Sequence, residues 1–287
     1  MENNNNINGP TSLMITIEKE FFKEILQILI KMTDEFEQNC NNLPYVKLQV
    51  FFIKRIILHS ATILHSFQGV PFSEYSKSDA WNSPVFDLFS SIGVLRVQLE
   101  CFLLYNFLFH HADTEEYRDF LILNYKYNGL KELKRFSDDP VHAKGIDAQL
   151  LQHKTEITNS VHFKNLNKLE QKNIIQGKSN ERMGKTWKEL IEIAGLEIKR
   201  FYNAYAIFSE FSHTSFLSMK EFVPDVIGTN RNPHTLSILN YSKSLMCLTI
   251  EKLVLNCPEC EKLYDSENLN YIGMIENMNA ISRNEHL

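Results

Sequence analysis

The stretch Gly93-Val-Leu-Arg96-Val-Gln-Leu-Glu100-Cys-Phe-Leu-Leu-Tyr-Asn-Phe-Leu-Phe109 decides the fold. It is apolar on nearly every side, and neither proline nor a further glycine interrupts it. A helix that is hydrophobic all round is one that other helices surround. The pattern therefore predicts a central helix over about 84–111.

Outward from it, the apolar positions keep a helical period. Phe21, Phe22, Ile25, Leu26, Ile28, Leu29 and Met32 predict a helix over about 16–38. Val50, Phe51, Ile53, Ile56, Ile57, Ile63 and Leu64 predict a second over about 46–66, followed by a linker at 67–83. Asp113-Thr-Glu-Glu116 is a start signal for a helix over about 114–136, with the Asp113 side chain accepting amide hydrogens of its first turn. Thr186 and Glu189 have capping-box spacing and open a short helix to Ala194. Two more helices are expected over about 196–213 and 234–256. With only 10 Gly and 8 Pro in 287 residues, long helices are favoured over short strands joined by turns.

The expected fold is all-α: a multi-helix bundle with a less regular helical insertion. Residues 1–12 are an Asn-rich, disordered tail, and 13–258 form a single helical domain. Within it, 137–185 is the irregular insertion, with a turn at Ser137-Asp-Asp-Pro140, short helices over 145–175 and a mobile loop at 176–185. Residues 259–287 are a polar, peripheral C-terminal segment.

The net charge of −5 gives no global attraction to nucleic acid. The five cysteines, Cys40, Cys101, Cys247, Cys257 and Cys260, are odd in number and irregularly spaced, so they are no disulfide framework. No signal peptide is visible, and the expected location is the reducing cytoplasm. A spanning helix needs ~20 nearly uncharged residues. Cys101–Phe109 is short and ends in two histidines, and Leu48–Phe67 carries Lys54, Arg55 and His59. Neither is expected to cross a membrane.

Several polar residues then need explaining. Arg96 and Glu100, four apart on one face of an apolar helix, are costly unless paired. They either fix helix register or line an internal polar pocket. Tyr202, Tyr205, Ser209, Ser212 and His213 form one stripe at spacings of three and four. His213 can serve as acid or base with Tyr205 and Ser209 as hydrogen-bond partners, or the stripe is a core network. Arg96, Glu100, Tyr205, Ser209 and His213 are thus the candidate catalytic cluster. Glu210-Phe-Ser-His213 is half of a ferritin-like dimetal signature, but no second Glu-x-x-His stands on a convincing helix. Cys257-Pro-Glu-Cys260 supplies two thiols where zinc needs four ligands, and reads as chance placement at a helix end. No metal and no cofactor is expected.

Arg135-Phe-Ser-Asp-Asp-Pro-Val-His142 matches the loosest arginine-to-histidine motif of HEPN-type ribonucleases. Pro140 prevents both residues from lying on one uninterrupted helix. Arg55-Ile-Ile-Leu-His59 is helical but one residue short.

Arg96 and Glu100 on the central helix, Tyr117-Arg118 on the next, and later Tyr205, Ser209 and His213 resemble a group of bacterial all-helical, HEPN-like domains of unknown function, over roughly 50–215. The resemblance implies a cytosolic bacterial protein in which Arg96, Glu100, Tyr205 and His213 converge, and by analogy a homodimer. It supplies no reaction. Three functions follow. The first is an interaction or regulatory helical protein of a bacterial defence or stress system, with RNA or another protein as partner. The second is a HEPN-like metal-independent ribonuclease using His213 or His142 with Arg96 or Arg135. The third is a dimetal carboxylate enzyme using Glu100, Glu210 and His213.

Overall fold

The computed structural model describes residues 10–41, 43, 45–69, 87–137, 139–176, 178–212 and 233–285. His213, Trp81, residues 70–83 of the linker and residues 1–9 of the Asn-rich tail lie outside them, whereas residues 10–12, expected in that tail, open the first helix. Among the described residues there are twelve helices and no strand. The all-α expectation holds.

In chain order these are α1 (Pro10–Asn39), α2 (Val46–Ser66), α3 (Leu88–Phe109), α4 (Glu115–Arg135), α5 (Pro140–Asn159) and α6 (Val161–Asn165). Then come α7 (Lys168–Gln176), α8 (Trp187–Ile193), α9 (Ile198–Phe211), α10 (Pro233–Asn256), α11 (Pro258–Asp265) and α12 (Leu269–Arg283). The chain groups into two compact units, one of Met1–Phe102 with Gly195–Leu287, the other of Leu103–Ala194.

In the first unit α1 packs against α2, α10 and α11, and α10 packs against α2, α11 and α12. Phe22, Ile25, Leu29 and Met32 of α1, and Val50, Ile53, Ile56 and Ile63 of α2, are sealed from solvent. Each such side chain stabilises by roughly 1.5–3 kcal/mol relative to exposure. Three polar contacts set α3 against α2: Gln98 donates to the Ser60 hydroxyl at 2.7 Å, Cys101 donates to the Phe52 carbonyl at 3.6 Å, and the Ser66 and Ser91 hydroxyls share a 2.6 Å hydrogen bond.

The C-terminal residues are more regular than their polarity suggests. α11 and α12 bury Cys260, Ile275 and Ala280. The first turn of α9 has no side-chain cap. Instead the Glu197 amide donates to the Ser282 carbonyl at 2.9 Å, and Arg200 donates to the Ile281 carbonyl at 3.2 Å.

In the second unit α4 packs on α5 and α6 around Phe120, Tyr127, Ile157, Phe163 and Ile174. The stretch expected to be irregular opens with a helix of 20 residues, α5. Asp139 caps it, its carboxylate accepting from the Val141 amide, and Pro140 sits where no amide hydrogen is needed. Thr114, not Asp113, caps α4, accepting from the Tyr117 amide at 3.2 Å. Residues 178–185 form a hydrogen-bonded turn: Asn180 Oδ1 accepts from the Arg182 and Gly184 amides. The Thr186–Glu189 capping box is present.

α3 is long and apolar enough, by length and composition, to cross a membrane. Its most apolar window is 67% buried inside the protein, so packing against protein accounts for its composition.

Candidate functional site

The candidate cluster forms where α3 meets α9. Phe201, Ala204, Phe208 and Phe211 give α9 one apolar face, and it lies buried. Phe211 packs on Phe89 just before Gly93, with ring centroids 5.6 Å apart. Tyr205, nearly two turns back along α9, lies over the polar pair of α3.

Three side chains close a triangle there. Arg96 Nε donates to Glu100 Oε1 at 3.2 Å. The Tyr205 hydroxyl donates to the same oxygen at 3.1 Å. Arg96 Nη2 donates to the Tyr205 oxygen at 3.4 Å, and the guanidinium lies 5.4 Å from the phenol ring centroid. The Arg96 and Glu100 side chains keep 25% and 22% of their surface exposed, so the triangle borders water rather than being sealed in the core.

The electrostatics favour the protonated, paired state. Burial and the Glu100 carboxylate raise the Tyr205 phenol above its ordinary value. Desolvation works against the Arg96 charge, but its hydrogen bond to Tyr205 and the Glu100 charge outweigh it and leave Arg96 above its ordinary value. A phenol held protonated is a donor, not a base or nucleophile.

The remaining members of the stripe stand apart. Ser209 turns back to its own helix, donating to the Tyr205 carbonyl at 2.9 Å. Ser212 donates likewise to the Phe208 carbonyl at 2.7 Å. His213 lies outside the described residues, and with it the Glu210–His213 half-signature. Among the described residues no three His, Cys, Asp or Glu side chains are grouped to hold a metal.

Arg135 and His142 flank the exposed α4–α5 corner. Arg135, 70% exposed, pairs with Glu132 at 2.7 Å, and His142 shares a 3.2 Å hydrogen bond with Ser137. The corner also exposes Phe136 and Val141. The other pair is less available: His59 is half-buried, with Nδ1 buried and unpartnered, and burial with the Arg55 charge lowers its pKa. Of the remaining motif, Tyr117 and Arg118 belong to the second unit, whereas Arg96, Glu100 and Tyr205 belong to the first.

Two groupings were not legible in the sequence. In the second unit Tyr117 lies between His111 and His162, at ring distances of 6.2 and 5.0 Å. Burial and the Lys185 charge lower the His111 pKa, and burial and Asp113 raise that of Tyr117. Lys126, Lys131 and Lys178 line a cleft of about 420 Å³ with Asn128 and Ser179. His111, Tyr117 and His162 come from separate helices or their ends, and the cleft joins α4 to the turn after α7, so no local spacing announces either.

No protein-family model, no curated protein and no solved structure matches this chain.

Proposed function

We propose that the chain is a helical interaction or regulatory protein in which Arg96, Glu100 and Tyr205 fasten α3 to α9 rather than perform chemistry. The observation that carries this reading is the closed triangle. Each of its charged or polar head groups is engaged by the other two, and the phenol is held protonated. Such a network specifies one helix register at the rim of a core. The same reading takes the likeness to bacterial HEPN-like domains as one of architecture. It places the protein in the cytoplasm, with another protein, RNA or a second copy of itself as partner, and with no part in a membrane.

A metal-independent ribonuclease is the second reading. It draws support from the exposure of Arg135 and His142 at one helix corner.

One experiment separates the two. Purified protein is incubated with total RNA in the presence of a chelator, alongside Arg96→Ala, Arg135→Ala and His142→Ala. The interaction reading expects no cleavage by any of them and a lowered melting temperature for Arg96→Ala. Cleavage by the wild type that Arg135→Ala or His142→Ala abolishes without a stability change would establish the ribonuclease instead. Cleavage lost in a normally stable Arg96→Ala would overturn the fastener role.

A further inference from the structure

The second unit carries a basic cleft that plays no part in the Arg96–Glu100–Tyr205 triangle. It holds about 420 Å³ and lies between α4 and the turn that follows α7. Lys126 and Lys131 come from α4, and Lys178 from the turn. Two glutamates also line the cleft, but each has an arginine of its own. Glu132 pairs with Arg135 at 2.7 Å, and Glu181 lies 3.7 Å from Arg182. Among the described residues neither Lys131 nor Lys178 has a carboxylate partner. Lys131 lies 5.2 Å from the Tyr127 ring centroid, a contact that does not neutralise its charge. Burial and the nearby Lys154 charge lower its pKa, as expected of a cation among cations.

The turn adds neutral donors. Asn180 Oδ1 is committed to the Arg182 and Gly184 amides. That fixes the carboxamide, and its Nδ2, with two hydrogens, has no partner in the protein. Ser179 is 5% exposed and lines the cleft, yet its hydroxyl makes no hydrogen bond within the protein. Such a group is costly unless something in the cleft accepts from it. The carbonyls at the end of α7, which would repel an anion, are already satisfied. Asn173 O accepts from the Lys178 and Ser179 amides at 2.8 and 3.0 Å, and Ile175 O from the Tyr127 hydroxyl at 3.2 Å.

Gly129 lines the same cleft from the interior of α4. Glycine there weakens a helix relative to alanine. Packing does not require it, since a Cβ at Gly129 would meet no atom within 4 Å. The missing side chain keeps the space beside the lysines open.

We propose that this cleft binds a dianionic phosphate group, either inorganic phosphate or the phosphate of a phosphomonoester. Ammonium groups stand on both walls, and the Ser179 hydroxyl and Asn180 amide supply directed hydrogen bonds. A phosphate offers acceptors in every direction to such charged donors. A carboxylate is flat and singly charged, and would leave the donors of one wall unused. The volume lies within the range of small-molecule sites.

The test is isothermal titration calorimetry on the full chain, in a phosphate-free buffer of low ionic strength. Inorganic phosphate and adenosine 5′-monophosphate are separate probes. One-to-one binding below about 1 mM is expected for at least one of them. Tighter binding of the nucleotide identifies a phosphomonoester as the ligand, and equal or tighter binding of phosphate identifies the free ion. Lys131→Gln is expected to weaken binding about tenfold and Ser179→Ala about fivefold. Lys168→Gln, on the exposed surface of α7 and outside the cleft, leaves it unchanged. Gly129→Leu puts a side chain into the open space and abolishes binding, while the urea midpoint holds or rises. The wild-type titration needs no variant to fold. No binding of either probe, equal losses in Lys131→Gln and Lys168→Gln, unchanged binding in both Lys131→Gln and Gly129→Leu, or binding of an oligoribonucleotide alone would each overturn the proposal.

Discussion

Tyr205 donates its hydroxyl hydrogen to the same Glu100 oxygen that accepts from Arg96 Nε. One carboxylate oxygen therefore serves both a residue on its own helix and one on α9. Removing either donor leaves the other bond in place, so single substitutions should be mild. Tyr205→Phe is expected to cost about 1 kcal/mol and Arg96→Ala about 1–2 kcal/mol, with solvent screening the charges at this rim. The urea midpoints of the two variants and the double variant check this. The double variant should cost more than the sum, because only it strips Glu100 of both donors.

The tyrosines give stability a limit on the alkaline side. Burial, Glu276 and other nearby groups raise the Tyr264 phenol to about 12, against an ordinary value of 10.0. The folded state thus holds this proton more tightly than the unfolded state. Its contribution is fully present below pH 10 and is lost as pH climbs from 10 towards 12. Tyr264→Phe should flatten the fall in stability over that window, and its ultraviolet titration should lose one of the late-appearing tyrosinates. A Tyr264 that ionises near 10 would refute the assignment.

Lys243 is 2% exposed, lies 4.9 Å from the Phe21 ring centroid, and pairs with Glu18 across α10 and α1. Lys243→Met strands the Glu18 carboxylate, which is itself partly exposed and can turn to water. The expected loss is about 1–3 kcal/mol, and most of it should vanish in Lys243→Met with Glu18→Gln. A double-mutant cycle by thermal denaturation checks the coupling. An additive result would mean that the pair contributes little.

Phe120 is 1% exposed at the centre of the second unit's core, among Tyr127, Ile157, Phe163 and Ile174. Phe120→Ala should destabilise by about 3–4 kcal/mol, the range for emptying an aromatic site. Phe136→Ala, at 77% exposure, should change stability little. The two urea midpoints provide the comparison.

Legibility in the sequence followed the strength of local signals. α2 runs where its apolar period places it, although Phe51 and Leu58 on that helix are exposed. α5 gives a weak pattern because, among its described residues, Ile146 and Ile157 are the only buried apolar ones, and its polar positions suit a loop equally. The Asp139-Pro140 pair was the available signal, and it was read as a turn. Spacing placed Arg96 and Glu100 on one face, but it does not say which residue of a facing stripe arrives opposite. Tyr205 reaches across, while Ser209 finds a nearer acceptor in its own helix, as short hydroxyl side chains do. Lys243 stands between two serines, and no local signal marks its burial.

The cap that α12 places on α9 has a consequence for synthesis. The Glu197 amide waits for a carbonyl at Ser282, and the first unit needs both Met1–Phe102 and Gly195–Leu287. The second unit is one unbroken run, Leu103–Ala194. On the ribosome, the later-numbered unit is therefore ready first. α1 and α2 can cover part of each other, but the apolar faces they share with α10 and α11 stay open until those helices have been translated.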